Sequence, residues 1–98
     1  MVSLVQVEVV LQRTLPEEVE CGVVEVPDAV RGARIVAAVT AAVDEKAATA
    51  KLAESLPRIA LPKQFVVLPF LPKVPSGKVD YRALTELVRD AVQGSGRG

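Results

Sequence analysis

Apolar residues recur along this chain in two rhythms, one of about four positions and one of two, and the switches between them mark its elements. The closing stretch shows the longer rhythm. Ala83, Leu84, Leu87, Val88, Ala91 and Val92 form the stripe of an amphipathic helix over residues 81–92, and Asp80 stands where its N-cap belongs. A second stripe, Ala48, Leu52, Ala53 and Leu56, predicts a helix over 45–56. Asp44 caps it, Pro57 stops it, and Lys46, Lys51 and Glu54 lie outside the stripe. The run 33–41 is apolar on both faces, the pattern of a central strand covered by helices. Residues 20–26 read as a strand that Pro27-Asp28 ends, because proline cannot donate in a central ladder, and Arg31-Gly32 turns the chain into the next strand. Five of the seven prolines fall between Pro57 and Pro75, so that region is extended, with a third strand at 64–68.

The first element is ambiguous from its residues. Ser3 with Gln6 three positions later gives a capping-box start for a helix over 3–13. Val5, Val7, Val9 and Val10 argue against it, since valine loses rotamer freedom in a helix, and a strand fits nearly as well. With a helix there, the order is α-β-β-α-β-α. The fold class is then α+β, a small three-stranded sheet packed with helices, drawn most simply as two layers. The domain is expected over residues 1–93, and the tail 94–98 is expected to be disordered.

Ninety-eight residues make one domain with one core, built here from Val, Ala and Leu with only two Phe and one Tyr. The twelve basic and twelve acidic residues balance overall but not locally. From Met1 to Leu56 nine acidic residues face five basic ones, whereas residues 57–82 carry Arg58, Lys63, Lys73, Lys78 and Arg82 against Asp80 alone. That half suits a small anionic ligand. It is too weakly basic, and too poor in aromatics, for nucleic acid. A chain without histidine cannot hold a histidine-based triad, and a zinc site is disfavoured. Cys21 is the lone cysteine, so no internal disulfide forms, and its apolar surroundings make it a small core residue rather than a nucleophile. No charge-free apolar run reaches about 18 residues and no basic n-region opens the chain, so the cytoplasm is the expected compartment.

The chemistry concentrates in Leu71-Pro72-Lys73-Val74-Pro75-Ser76-Gly77-Lys78-Val79-Asp80-Tyr81. Two prolines stiffen this loop, Ser76-Gly77 lets it turn tightly, and Lys78 sits at the apex. A cation held so is of use to a phosphate or a developing oxyanion, although many Gly-Lys pairs are only solvated turns. A phosphate-binding P-loop is excluded, because Pro72 stands where it needs glycine and Val79 where it needs Ser or Thr.

Pro75-Ser76-Gly77-Lys78-Val79-Asp80 followed by Arg82-Ala83-Leu84 resembles the last core motif of the adenylate-forming superfamily, and the remainder of the chain is similar to that superfamily's C-terminal lid domain in the same order. Val7-Glu8 matches its first helix, which decides for the helix over 3–13. Val23-Val24, Val26-Pro27-Asp28, Arg31-Gly32 and Ile35-Val36-Ala37 match its hairpin. Leu61-Pro62, Phe65-Val66 and Leu71-Pro72 lead into the lysine motif. Each piece is weak alone, and their order carries the resemblance over nearly the whole chain. Met1-Val2-Ser3-Leu4, Leu15-Pro16-Glu17 and Gly77-Lys78-Val79-Asp80-Tyr81 look closest to the acyl-acyl carrier protein synthetase branch, which includes 2-acylglycerophosphoethanolamine acyltransferase. Acyl-CoA synthetases share most of these residues.

The resemblance implies an ATP-dependent, AMP-forming acid–thiol ligase. A fatty or other carboxylic acid and Mg-ATP give an acyl-adenylate, and CoA or a carrier protein's phosphopantetheine thiol then takes the acyl group. Lys78 would be the catalytic lysine, binding the carboxylate and the α-phosphate in the first step. Ser76 and Gly77 would lie against substrate or shape the loop, with Ser76 hydrogen-bonded within it. Lys73 could help hold phosphate, but a solvated role is expected of it. ATP and Mg2+ would be held mainly by an N-terminal adenylation domain, which lies outside this sequence together with the family's hinge residue. The isolated chain is therefore expected to be inactive, as an excised domain or a separate subunit, and the rest of the protein could hold it at the inner membrane face. The alternative is a non-catalytic module of the same fold that docks a carrier protein or ligase subunit.

Overall fold

The computed structural model describes residues 3–28, 30 and 32–95. Helix α1 runs Leu4–Thr14, strands β1 and β2 run Cys21–Asp28 and Gly32–Val39, helix α2 runs Glu45–Ala53, strand β3 runs Gln64–Val67 and helix α3 runs Tyr81–Ser95. The α-β-β-α-β-α order holds, with a short 3-10 turn at Arg58–Ala60 before β3. At α1, Ser3 has extended backbone and its hydroxyl accepts from the Gln6 N–H at 3.3 Å. The valines are tolerated because one side of the helix is sealed against the sheet, with Val7 and Leu11 fully buried.

The sheet order is β1-β2-β3. β1 and β2 form an antiparallel hairpin with Cys21 opposite Val39, and β3 runs parallel to β2 with Val36 opposite Gln64. β2 is the central strand, and its alternation places Ile35, Ala37 and Val39 on one face and Val36 and Ala38 on the other. The first set joins Val7 and Leu11 of α1, Val23 of β1 and Ala48 and Leu52 of α2. The second joins Val24 and Val26 of β1, Leu71, and Leu84, Val88 and Val92 of α3. Helices thus cover both faces, one layer more than the two-layer drawing.

Several element ends differ from expectation for identifiable reasons. α2 stops at Ala53, where Leu56 N–H closes back on Leu52 O, so Ala53 faces solvent rather than the core stripe. α3 continues through Gly94 and Ser95, so the part of the tail that is described is helical. Residues 96–98 and Arg31 of the turn lie outside the described residues. Leu87 lies at the edge of its stripe, 42 % exposed. No helix among the described residues is long and apolar enough to cross a membrane.

Pro27 does not end β1. Thr40 N–H bonds Glu20 O, which marks 20/40 as a hydrogen-bonded pair. By antiparallel alternation, positions 22, 24, 26 and 28 then face β2, while 21, 23, 25 and 27 point their backbone groups outward. β1 is an edge strand, so at position 27 no ladder partner needs a donor, and proline fits there. Side chains of α1 cap the neighbouring outward donors. Cys21 N–H donates to Gln12 Oε1 at 3.3 Å and Val23 N–H to Glu8 Oε1 at 3.0 Å, while Gln12 Nε2 donates to Val19 O at 2.8 Å.

This packing can be tested at two positions. Gly22 faces α3 so closely that a Cβ there would lie 2.5 Å from Leu84 Cδ2, a side chain with no exposed surface. Gly22→Val should therefore destabilise the domain by about 1–3 kcal/mol, a fall in melting temperature of about 4 °C or more, measured by circular dichroism. The second position is Cys21, where burial, with the Glu8 carboxylate adding, pushes the thiol up from 9.0 to about 12. Below pH 9 the thiol is protonated in both folded and unfolded chains. From pH 9 towards 12 only the unfolded chain loses the proton, so stability declines across that window. Cys21→Ala removes this slope: its melting temperature should be offset from the wild type's by a constant amount up to about pH 8 and gain on it steadily from about pH 9 to 11, and a constant difference throughout would contradict the buried, protonated thiol.

Candidate functional site

The lysine loop folds as a small hairpin. Lys73 and Val79 form an isolated antiparallel bridge, Val74 N–H donates to Lys78 O at 2.8 Å, and Asp80 N–H donates to Pro72 O at 2.9 Å. At the tip Gly77 N–H donates to Val74 O at 2.8 Å, closing a four-residue turn with Pro75 second and Ser76 third. Pro75 supplies the φ that the second position needs. Ser76 has negative φ, so the turn is not of type II, and the left-handed residue comes next, at Gly77 with φ +92°. A turn followed by one left-handed glycine is a common three-residue hairpin connection, and a side chain at Gly77 would be strained.

Both ends of the hairpin are anchored. Leu71 enters it buried under α3. Asp80 leaves it as the α3 N-cap, its carboxylate accepting from Ala83 N–H at 3.1 Å and its carbonyl from Leu84 N–H at 2.9 Å, as expected for that residue. Leu84 and Val88 then fix the helix, both without exposed surface. Lys78 lies two residues before the cap, so its backbone is held to the body of the domain while its side chain is exposed.

Of the cations that cluster in the second half of the sequence, Lys73 is engaged. Its Nζ lies 3.0 Å from Glu20 Oε1, so it is exposed to solvent as expected but also carries an ion-pair partner. Among the described residues the Lys78 ammonium has neither hydrogen bond nor ion pair. Ser76 is exposed, and its hydroxyl makes none of the loop hydrogen bonds expected of it. The structure thus brings Ser76, Gly77 and Lys78 to one exposed tip, with Lys78 the group free to meet an anion. No cluster of three or more metal-binding side chains occurs among the described residues.

Two further residues near the loop, Tyr81 and Glu8, lie outside the site expected from the sequence. Tyr81, the first residue of α3, donates its hydroxyl to Glu8 Oε2 at 2.5 Å. Desolvation, then the hydrogen bond and charge of Glu8, push the phenol up to about 12, so it stays a donor through neutral pH. The pair borders a groove of about 340 Å³ lined by Leu4, Val5, Val23, Val24 and Thr85. Cys21 is buried in the core as expected.

The geometry agrees with the comparisons to known proteins. A family model described as the AMP-binding enzyme C-terminal domain matches residues 6–78, a span that ends on the lysine at the hairpin tip. No curated protein matches. Among solved structures, a Mycobacterium tuberculosis fatty acyl CoA synthetase superposes with a TM-score of 0.81 at 28% identity, over 92% of this chain and 18% of that one. ATP-bound MatB from Rhodopseudomonas palustris gives 0.77 at 28% identity, over 92% and 18%. The amide bond synthetase McbA from Marinactinospora thermotolerans gives 0.74 at 27% identity, over 88% and 18%. The chain spans less than a fifth of the length of these solved proteins. With three quarters of its length matched by one family model and its fold shared with these ligases, the chain belongs to the AMP-binding enzyme C-terminal domain family.

Proposed function

We propose that this chain is the lid of an AMP-forming acid–thiol ligase and that Lys78 is its adenylation lysine. The observation that carries the reading is the placement of Lys78: an unpaired, exposed cation on a hairpin whose backbone is tied into the domain. In the first step a carboxylate oxygen attacks the α-phosphorus of ATP, the bond to the β-phosphate oxygen breaks, and pyrophosphate leaves. Negative charge is then shared between the entering carboxylate and the α-phosphate oxygens. An ammonium placed there stabilises that charge more than it stabilises separated substrates, which is what lowers a barrier. In the second step a thiol attacks the acyl carbonyl, a C–S bond forms and AMP leaves. Lys78 would be withdrawn by then, the lid having rotated as a body. Gly77 permits the turn that aims the lysine, and Ser76 lies close enough along the chain to touch the same phosphate.

The substrate class is a fatty or related carboxylic acid, with CoA or a carrier protein's phosphopantetheine as acceptor. The fatty acyl CoA synthetase among the superposable structures supports the class, and Gly77-Lys78-Val79-Asp80-Tyr81 favours the acyl-acyl carrier protein branch. ATP, Mg2+ and the acid would be held by an N-terminal adenylation domain. The reading puts the protein in the cytoplasm, where ATP and CoA are available.

The test is acyl-dependent ATP–pyrophosphate exchange by the cognate N-terminal domain, alone, with this chain restored, and with its Lys78→Ala form. The expected result is exchange that needs the chain and falls about 10²–10³-fold with the substitution. Equal exchange by the two forms would refute the catalytic assignment and leave a docking module on the same fold, a role in which Lys78→Ala binds its partner normally.

A further inference from the structure

The inference here rests on the adenylation role of Lys78 and concerns what holds that lysine in place. Glu8 and Tyr81 are 73 positions apart in sequence, yet Glu8 Oε2 accepts the Tyr81 hydroxyl at 2.5 Å. The other carboxylate oxygen, Oε1, accepts the Val23 N–H at 3.0 Å. One carboxylate thus joins α1, the outer edge of β1 and the first residue of α3. Its own position is fixed, because the flanking Val7 and Leu11 have no exposed surface. Tyr81 lies three residues beyond Lys78, with only Val79 and the N-cap Asp80 between.

The hairpin is tied towards β1 at both feet. On the entering side Lys73 reaches Glu20, the residue before β1, and on the leaving side Tyr81 reaches Glu8. The two ties are unequal. The Lys73–Glu20 pair is open to solvent, with the side chains 39% and 56% exposed, so water and salt screen it. The Tyr81–Glu8 bond is also partly open to solvent, Tyr81 being 44% exposed, but it is short, has a carboxylate acceptor and runs beside an apolar groove, and unlike an ion pair it has a preferred direction. It also constrains rotation. α3 is held by Leu84, Val88 and Val92, all buried against one face of the sheet, and these apolar contacts tolerate small rolls of the helix. A directed bond from its first residue to α1, on the opposite face, does not.

We infer that Glu8 and Tyr81 are positioning residues for adenylation: the Tyr81–Glu8 bond fixes the start of α3 and thereby the direction in which the hairpin presents Lys78. Tyr81→Phe removes the bond and keeps the ring in the groove. In the ligase assembled from this chain and its N-terminal domain, it should lower kcat for ATP–pyrophosphate exchange about tenfold. KM for ATP and acid should stay within about twofold, and thiol transfer from supplied acyl-adenylate should be unchanged, since that step does not use Lys78. The amides of Val74, Gly77 and Asp80, which donate within the hairpin, should exchange with solvent faster. Placed on Lys78→Ala, Tyr81→Phe should cost nothing further, because its effect acts through the lysine. Glu8→Ala should give the same selective loss with a lower melting temperature, as it also strands the Val23 N–H.

Three outcomes would overturn the inference: unchanged exchange kinetics in Tyr81→Phe, equal losses in both half-reactions, or a further loss on the Lys78→Ala background. If Lys78→Ala itself leaves exchange intact, it is the catalytic reading that fails. The amide exchange of Val74, Gly77 and Asp80 then still decides the tether, faster in Tyr81→Phe supporting it and unchanged removing it.

Discussion

An edge strand has backbone groups that must be satisfied or shielded, and in this domain that constraint falls on β1. The strand meets it with two side chains and one imino acid. Glu8 and Gln12, four residues apart on α1, accept from Val23 and Cys21, and Pro27 has no donor to satisfy. To do this, α1 must lie along β1 with its polar row over the strand edge while Val7 and Leu11 pack on the face. The register between helix and strand is thereby set by directed bonds as well as by apolar area. Gly22 completes the arrangement on the other face: without a Cβ, β1 lets Leu84 approach closely enough for α3 to seal the second core.

The lysine hairpin inherits this order. It has little core of its own, since its tip is exposed and Leu71 is the apolar anchor that precedes it. Its rigidity comes from bonds within the turn and from α3, a capped helix fixed to the sheet. That division suits a group that must be delivered rather than stored. A lysine side chain has many rotamers to lose on binding, so a rigid base limits the disorder to the side chain itself. A loop free to move throughout would add backbone entropy to the same cost.

The sequence was most legible where a periodicity repeats. β2, apolar at every position of its core, announced itself as central, and Asp44 and Asp80 announced their helices because a cap is a local signal. Legibility failed where the deciding partner is remote. Pro27 reads as a stop only if β1 is assumed to be interior, and strand order is a property of the whole sheet. Ala53 and Leu87 sit at the margins of their stripes, where a helix one turn shorter or slightly rolled changes exposure. Ser76 and Lys73 are polar residues in a loop, and which of them finds a partner depends on Glu20, far away in sequence. Glu8 and Tyr81 left a trace: a carboxylate between buried Val7 and Leu11, with Gln12 one turn on, is a polar row beside an apolar stripe. Nothing local told which donors it met.

In the proposed reading, the exposure of Lys78 explains why the domain would need a second surface. Two unit charges 4 Å apart interact by about 1 kcal/mol in bulk water and by about 4 kcal/mol at an effective dielectric constant of 20. On the open chain the ammonium is solvated, and an anion drawn to it gains little over its own hydration. Pressed against an adenylation domain, the same ammonium would face substrate across a gap without bulk water, where its attraction grows severalfold while its direction is already fixed by the hairpin. In the proposed reading the catalytic strength of this lysine is therefore made by closure, and the chain's own contribution is to hold it unpaired until then. An internal ion pair at position 78, like that of Lys73 with Glu20, would have to be broken at each closure and would cancel part of the gain.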